Sequence, residues 1–267
     1  MAKDTLVQNV FDASGRRLPP EGLGAPVNLA SARYSLVQPV IDYAEIHARI
    51  SEYMGSEGQV SATEFAERAE GVLDTLRGSE ETAPLASSVR IPFTLAADRR
   101  GDFGQALEDS YLPALGRSWN VRFPKADFKN ELRGGLAGKV TVANGSRYDR
   151  FVRALAEGPL VGYYFPMALS GFSVDAALRQ MSELPVSFVL SGGHEACAAL
   201  TGSPDLFVQR DGYPPQLDLS AFQAPRPGYG YHFAPYGYNL TFNGRFHNGL
   251  ASDYCSSGLT VIAPSRK

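Results

Sequence analysis

Val161-Gly162-Tyr163-Tyr164-Phe165-Pro166-Met167-Ala168-Leu169-Ser170-Gly171 opens a stretch, Val161 to Phe207, that reads twice as strand, Ser-Gly turn and short helix. The first pass is apolar from Val161 to Leu169, turns at Ser170-Gly171 and becomes helical from Ser173 to Met181. The second is apolar from Val186 to Leu190, turns at Ser191-Gly192-Gly193 and becomes helical from His194 to Leu200. Strands separated by single helices favour a parallel or mixed sheet, because a parallel neighbour needs a crossover connection. The expected class is α/β. The alternative is α+β, since most of the helices are short for a crossover.

Outward from this centre the chain divides into four stretches. Residues 1–36 carry Gly15, Pro19-Pro20, Gly22, Gly24 and Pro26 and read as an extended arm. Residues 37–78 read as a helical pair. Its first helix spans Pro39 to Met54, with a stripe of Val40, Tyr43, His47, Ile50 and Met54 and Gly55 as a left-handed cap. Its second spans Ala62 to Arg77, opened by the capping box Ser61-Ala62-Thr63-Glu64. Ser79 to Ser88 is small and polar and reads as a linker.

An α/β core is expected over 89–211. It comprises a strand Val89–Leu95 pushed to an edge by Pro92, a helix Phe103–Leu115, a strand Trp119–Phe123 and a helix Asp127–Arg133. A strand Lys139–Ala143, a helix Arg147–Ala156, the central pair and a strand Asp205–Gln209 complete it. Residues 212–267 read as a Pro/Tyr/Gly-rich segment of antiparallel strands, Tyr238–Phe246 and Leu259–Ala263. Asn243-Gly244 is a hairpin signal inside the first of them. The four stretches are expected to pack as one structural domain.

A net charge of −3 argues against partners held by a general basic field, whether nucleic acid or an anionic membrane. Two cysteines, Cys197 and Cys255, are too few for a disulfide scaffold and fit a reducing compartment. No run approaches the roughly 18 apolar residues of a membrane span, and the first residues lack the apolar core of a signal peptide. The sequence therefore reads as a soluble, cytoplasmic protein.

Four groups of residues are candidates for chemistry. Ser191-Gly192-Gly193, between an apolar strand and a helix, lets backbone approach a small anionic or polar ligand and offers it the donors of a helix start. The alternative is that the glycines simply turn the chain. His194 and Cys197 lie three apart on that helix, where an imidazole can lower a thiol pKa. With His247 they form a candidate catalytic set, against the reading of Cys197 as a buried structural residue. His232, Arg245 and Tyr231 would wall the same ligand site.

His232, His247, Asp253 and Cys255 are the residue types that ligate zinc or iron. Their spacing matches no dense metal motif, so no metal is assigned, and no motif names a cofactor. Tyr229, Tyr231, Phe233, Tyr236 and Tyr238 suit a subunit interface, a stacking surface or a hairpin that caps the core. Two functional readings follow. One is a ligand site, with catalysis as its extension, at Ser191 to Cys197. The other is a non-catalytic assembly subunit that uses the N-terminal arm and the Tyr/Gly segment as interfaces. The first requires His194, Cys197 and a C-terminal histidine in one pocket; the second leaves them apart with tyrosines exposed.

Overall fold

Eleven consecutive residues, Leu160–Ser170, form one strand that is buried at every position except Met167. A strand covered on both faces reads as a continuous apolar run rather than an alternation. In the computed structural model residues 10–29, 33–208 and 211–264 are described; the first part of the expected arm, its residues 30–32 and Gln209 lie outside them.

The strands are β1 (Ile91–Leu95), β2 (Phe128–Asn130), β3 (Thr141–Val142), β4 (Leu160–Ser170) and β5 (Phe188–Leu190). They continue as β6 (Gln216–Asp218), β7 (Phe222–Gln223), β8 (Tyr229–Tyr236), β9 (Asn239–Phe246) and β10 (Cys255–Ile262). The order in the eight-stranded sheet is β1-β4-β10-β6-β8-β9-β2, with β5 also beside β10 and with β3 and β7 paired separately. β10 with β6 and β2 with β9 run parallel, and the other pairs run antiparallel. The fold is therefore α/β with a mixed sheet and an antiparallel C-terminal region.

Both strands of the repeated strand–turn–helix stretch pair with β10 and not with each other. β4 runs along one side of β10. On the other side Cys255–Ser257 pair with β6 and Leu259–Val261 pair with β5. The register shifts at Gly258 between these halves. A Cβ there would collide with the Tyr164 ring and lie 3.0 Å from Ser191 Oγ.

Tyr43–Met54 and Ala62–Arg77 are helices, capped by the side chains of Asp42 and Ser61. The first begins later than Pro39, and its buried residues are Ile46 and Ile50 rather than the whole expected stripe; Val40 is 90% exposed. Ile46 and Ile50 lie against Gly202, whose lack of a side chain sets how close the helix comes. Glu64 spends its carboxylate on Arg68 instead of closing the capping box.

Several expected elements are corrected. Ser79–Ser88 is no linker, since it holds a helical turn, Ala83–Ala86, that buries Leu85 and Ala86. Trp119–Phe123 is not a strand but the end of a helical run from Phe103 to Arg122. That run survives Pro113 because Leu107–Tyr111 forms a π turn, in which the Leu112 N–H reaches the Leu107 carbonyl. The wider turn makes room for a ring that cannot donate.

Asp127–Arg133 is not helical: Phe128–Asn130 extend beside β9, with the Phe128 ring seated on Gly116. Pro204–Phe207 is a 3₁₀ turn rather than a strand. The hairpin turns at Gly237, whose φ of 62° is left-handed, and not at Asn243-Gly244. Gly244 stays in the ladder opposite Tyr231, where the Tyr229 ring fills the space of a side chain. Among the described residues no helix is long and apolar enough to cross a membrane.

The crowding at Gly258 is testable. Gly258→Val should lower stability to urea by about 1–3 kcal/mol or more, the usual range for overpacking. Gly158→Ala, at extended backbone where a Cβ meets nothing, should change it by less than about 0.5 kcal/mol. Equal midpoints for the two variants would show that the bulge does not need its glycine.

Candidate functional site

The Ser191-Gly192-Gly193 turn is enclosed by protein. The Ser191 N–H donates to the Gly258 carbonyl at 3.0 Å, and the Ser191 carbonyl accepts from Ala221 N–H at 3.1 Å. The Gly193–Gly202 helix that follows is buried along its whole length. A Cβ on Gly192 would lie 2.5 Å from the Tyr148 ring, and one on Gly193 2.7 Å from Leu107. These glycines admit neighbouring side chains. The Gly192 N–H donates to Glu195 Oε1 at 2.6 Å, so an internal carboxylate occupies the helix start that attracts anions.

A buried polar network grows from Glu195. The Tyr148 hydroxyl donates to Glu195 Oε2 at 2.6 Å and meets His194 Nδ1 at 3.0 Å. Thr260 Oγ1 lies 3.2 Å from Glu195 Oε1 and 2.8 Å from Ser191 Oγ. Burial pushes the Glu195 carboxyl up to about 7, against the pull of the Tyr148 and Gly192 hydrogen bonds. Burial also holds His194 down at about 4. Cys197 sits among alanines, free and buried, with its thiol pushed well above the usual range by desolvation.

A second constellation lies on one face of β6, β8 and β9, opposite the face that carries Phe233 and Phe242. Strand alternation puts Gln216 and Asp218 on one side of β6, and Asp218 pairs directly with His232 of β8. The chain leaves β9 after Phe246, and the His247 N–H donates to the Gly228 carbonyl at 3.0 Å. The His247 imidazole then crosses back over Gly230, where a Cβ would lie 3.0 Å from its Cε1 and collide with Asn248 Oδ1. Glycine at 230 is what lets the ring lie on the sheet.

In this position His247 Nε2 is 2.9 Å from Asp218 Oδ1, and His247 Nδ1 is 3.0 Å from the Arg245 carbonyl oxygen. The His232 and His247 rings meet edge-on with centroids 5.4 Å apart. One donor atom from each of Asp218, His232 and His247 lies within 4.8 Å of the others, and all three residues are buried. His232 Nδ1 is enclosed without a hydrogen-bond partner. Burial, helped by His247 and Arg245, holds His232 at about 3, in the neutral form that ligates metals. The Gln216 amide reaches Asp218 Oδ1 at 2.5 Å and His247 Nε2 at 3.3 Å.

Comparisons with family models, with curated proteins and with solved structures return no match for this chain.

Of the residues singled out by sequence, the structure brings His232, Arg245 and His247 together. Cys255 adjoins them through Arg245 Nη2 at 3.5 Å, whereas Asp253 is half-buried and outside the set. Ser191, Gly192, Gly193, His194 and Cys197 belong to the other buried group. Tyr231 faces the opposite side of the sheet, stacked on Phe242 with its hydroxyl donating to the Lys139 carbonyl. Asp218 and Gln216 are missed by sequence reasoning. Their only signal is a polar–apolar–polar triplet, Gln216-Leu217-Asp218, directly after Pro214-Pro215.

The two titrating members of the first network have opposite pH signatures. Glu195, raised from 4.5 to about 7, stabilises the fold below pH 4.5 and loses that contribution as pH rises towards 7. His194, lowered from 6.5 to about 4, stabilises it above pH 6.5 and loses that contribution as pH falls towards 4. Between pH 4.5 and 6.5 the slopes oppose each other. Glu195→Gln removes the first, so the variant's stability in urea should climb with pH there by up to about 1.4 kcal/mol per unit. A profile parallel to that of the unmodified protein would show that Glu195 does not titrate as described.

Proposed function

We propose that this protein is a metalloprotein whose centre is formed by Asp218, His232 and His247. The orientation of His247 carries the reading. A carbonyl oxygen can only accept, so the contact with Arg245 puts the proton on Nδ1 and leaves the Nε2 lone pair aimed at Asp218 Oδ1, 2.9 Å away. The Gln216 amide donates to Asp218 Oδ1 at 2.5 Å and approaches His247 Nε2 at 3.3 Å from one side, and two acceptors 2.9 Å apart still suit a cation or a second proton between them. A His232 ring nitrogen is the third ligand atom of the cluster, and the His232 Nδ1 is enclosed without a partner.

Ligands about 2.0–2.2 Å from an ion lie at most roughly 4.4 Å apart, so a spread of 4.8 Å closes by small side-chain rotations. Two imidazoles and one carboxylate suit Zn²⁺, Fe²⁺ or Co²⁺ better than Mg²⁺ or Ca²⁺. Three protein ligands also leave coordination positions open, the pattern of catalytic rather than closed structural centres. An ion held in that way polarises a bound water or substrate oxygen. The function best supported is metal-assisted chemistry on a small ligand, located at the C-terminal strands instead of at the Ser191 turn.

Protein stripped with a chelator should take up one equivalent of Co²⁺ or Zn²⁺ in a calorimetric titration. Asp218→Asn, His232→Ala and His247→Ala should each weaken uptake by more than the roughly 10–100-fold that loss of an outer partner costs. If the unmodified chain takes up no ion, the reading fails and His247–Asp218 is a buried ion pair.

A second reading, self-association, has one observation in its favour. Tyr236 and Tyr238 are 79% and 90% exposed at the tip of the β8–β9 hairpin. The tip borders an apolar cavity of about 710 Å³ lined by Trp119, Phe123 and Phe207. A monomer by light scattering at high concentration, for both the full chain and Tyr236→Ser/Tyr238→Ser, would remove this reading.

A further inference from the structure

The Arg245 side chain shares the metal-binding face and has no acid to pair with. It stands opposite Gly230 on β9, two residues before His247 and beside the strand that carries His232. Its guanidinium lies over the Tyr254 ring at 5.2 Å, interacts with the Tyr254 hydroxyl and reaches the Cys255 sulfur at 3.5 Å. That thiol is pushed up to about 12 by burial and offers no negative charge. Arg245 Nε is enclosed and without a partner. Among the described residues no carboxylate forms an ion pair with Arg245; Asp218, the nearest to it in electrostatic effect, pairs with His247.

An arginine is always charged and presents a planar fork matched to a carboxylate, so a half-buried one with no acid of its own keeps that fork for an acid that arrives with a ligand. The charge balance points the same way. A divalent ion and Arg245 together carry three positive charges, and Asp218 is the one negative side chain among the groups that touch them. Two negative charges are wanting. The aromatic wall is held in place as well: Tyr254 meets Tyr34 edge-on, with centroids 6.0 Å apart, and Tyr34 packs on Tyr213 at the same distance.

We propose that the centre binds a small dianionic organic acid, one carboxylate gripped by the Arg245 guanidinium and a second oxygen donated to the metal. This rests on the metal reading above. Asn248, whose amide oxygen is enclosed and unpartnered beside His247, adds an acceptor for a hydroxyl on such a ligand. The Arg245 carbonyl that orients His247 belongs to the backbone, so changing the side chain leaves that hold on the metal ligand intact.

The test uses the full chain loaded with Co²⁺ and followed by its visible absorption and by calorimetry. Oxalate, malonate and succinate are titrated in turn, with acetate as the monovalent reference. The series steps the distance between the two carboxylates, so the best binder reports the gap between metal and guanidinium. One diacid should bind at least about tenfold more tightly than acetate and change the Co²⁺ spectrum. Arg245→Met should abolish that advantage while holding Co²⁺ within about threefold of the unmodified affinity, and Arg245→Lys should keep part of it. Diacids that bind Arg245→Met as well as the unmodified protein, or no better than acetate to either, overturn the proposal. A chain that fails to take up Co²⁺ before any acid is added overturns the metal reading itself, which separates the two failures.

Discussion

At Gly258 the long strand β10 exchanges one neighbour for another. A strand in a regular sheet has one neighbour on each side, but β10 has β4 on one side and two successive neighbours, β6 then β5, on the other. At the same point the pairing with β4 shifts register, with three β4 residues between Phe165 and Leu169 opposite the single Gly258. It also opens a place where the Tyr164 ring and the Ser191 hydroxyl come closer to backbone than any side chain would permit. The Ser191 N–H closes on the Gly258 carbonyl, and the Ala221 N–H closes on the Ser191 carbonyl. The end of β5 and the stretch after β6 are thereby stitched to one point. The two buried polar groups lie on either side of that stitch.

Their hydrogen bonding sets the two groups apart. In the first, Glu195 receives the Tyr148 hydroxyl and the Gly192 N–H, and Ser191 and Thr260 pair with each other. Donors and acceptors answer one another inside the protein, which suits a network that fixes the packing. In the second, His232 Nδ1, Arg245 Nε and Asn248 Oδ1 are enclosed without partners, while His247 Nε2 and Asp218 Oδ1 lie 2.9 Å apart beside the Gln216 amide. Unanswered polar atoms in a buried place are costly. Three of them belong to residues of this one region, which is the observation behind the ligand site proposed there. Unpartnered buried atoms also occur elsewhere among the described residues, on Ser51, Arg68, Arg90, Trp119, Tyr164 and Thr201.

What the sequence makes legible follows from how local each signal is. Ser61 and Gly55 act within one turn of their helices and the ends they announce are there, although Gly55, at φ 97° and ψ 146°, does not take the left-handed helical cap expected of it. The doubled strand–turn–helix stretch is legible for the same reason. Trp119–Phe123 and Asp127–Arg133 are misread because their state is set from a distance: a π turn carries the helix past Pro113, and β9 draws Phe128–Asn130 into a strand. At the site, His232 and His247 attract attention by residue type. Asp218 does not, because its partnership with them exists only once β6 and β8 are paired. The Gly-Gly turn is legible as a turn, while its enclosure by Tyr148, Leu107 and Phe222 depends on side chains remote in sequence.

Arg245 joins the two halves of the functional argument. Its carbonyl lies 3.0 Å from His247 Nδ1 and so helps set which nitrogen faces Asp218, while its side chain runs along the same face to Tyr254 and Cys255. Such a double use works only at the end of a strand, where the next residue is released from the ladder and can fold back over it. The fold-back in turn needs a bare backbone beneath it, and Gly230 provides that directly opposite Arg245. The Tyr/Gly alternation of β8 can thus be read in physical terms. Tyr229, Tyr231 and Phe233 pack one face of the sheet against aromatic partners, and on the other face Gly230 and His232 leave room for an imidazole, a carboxylate and a guanidinium to converge.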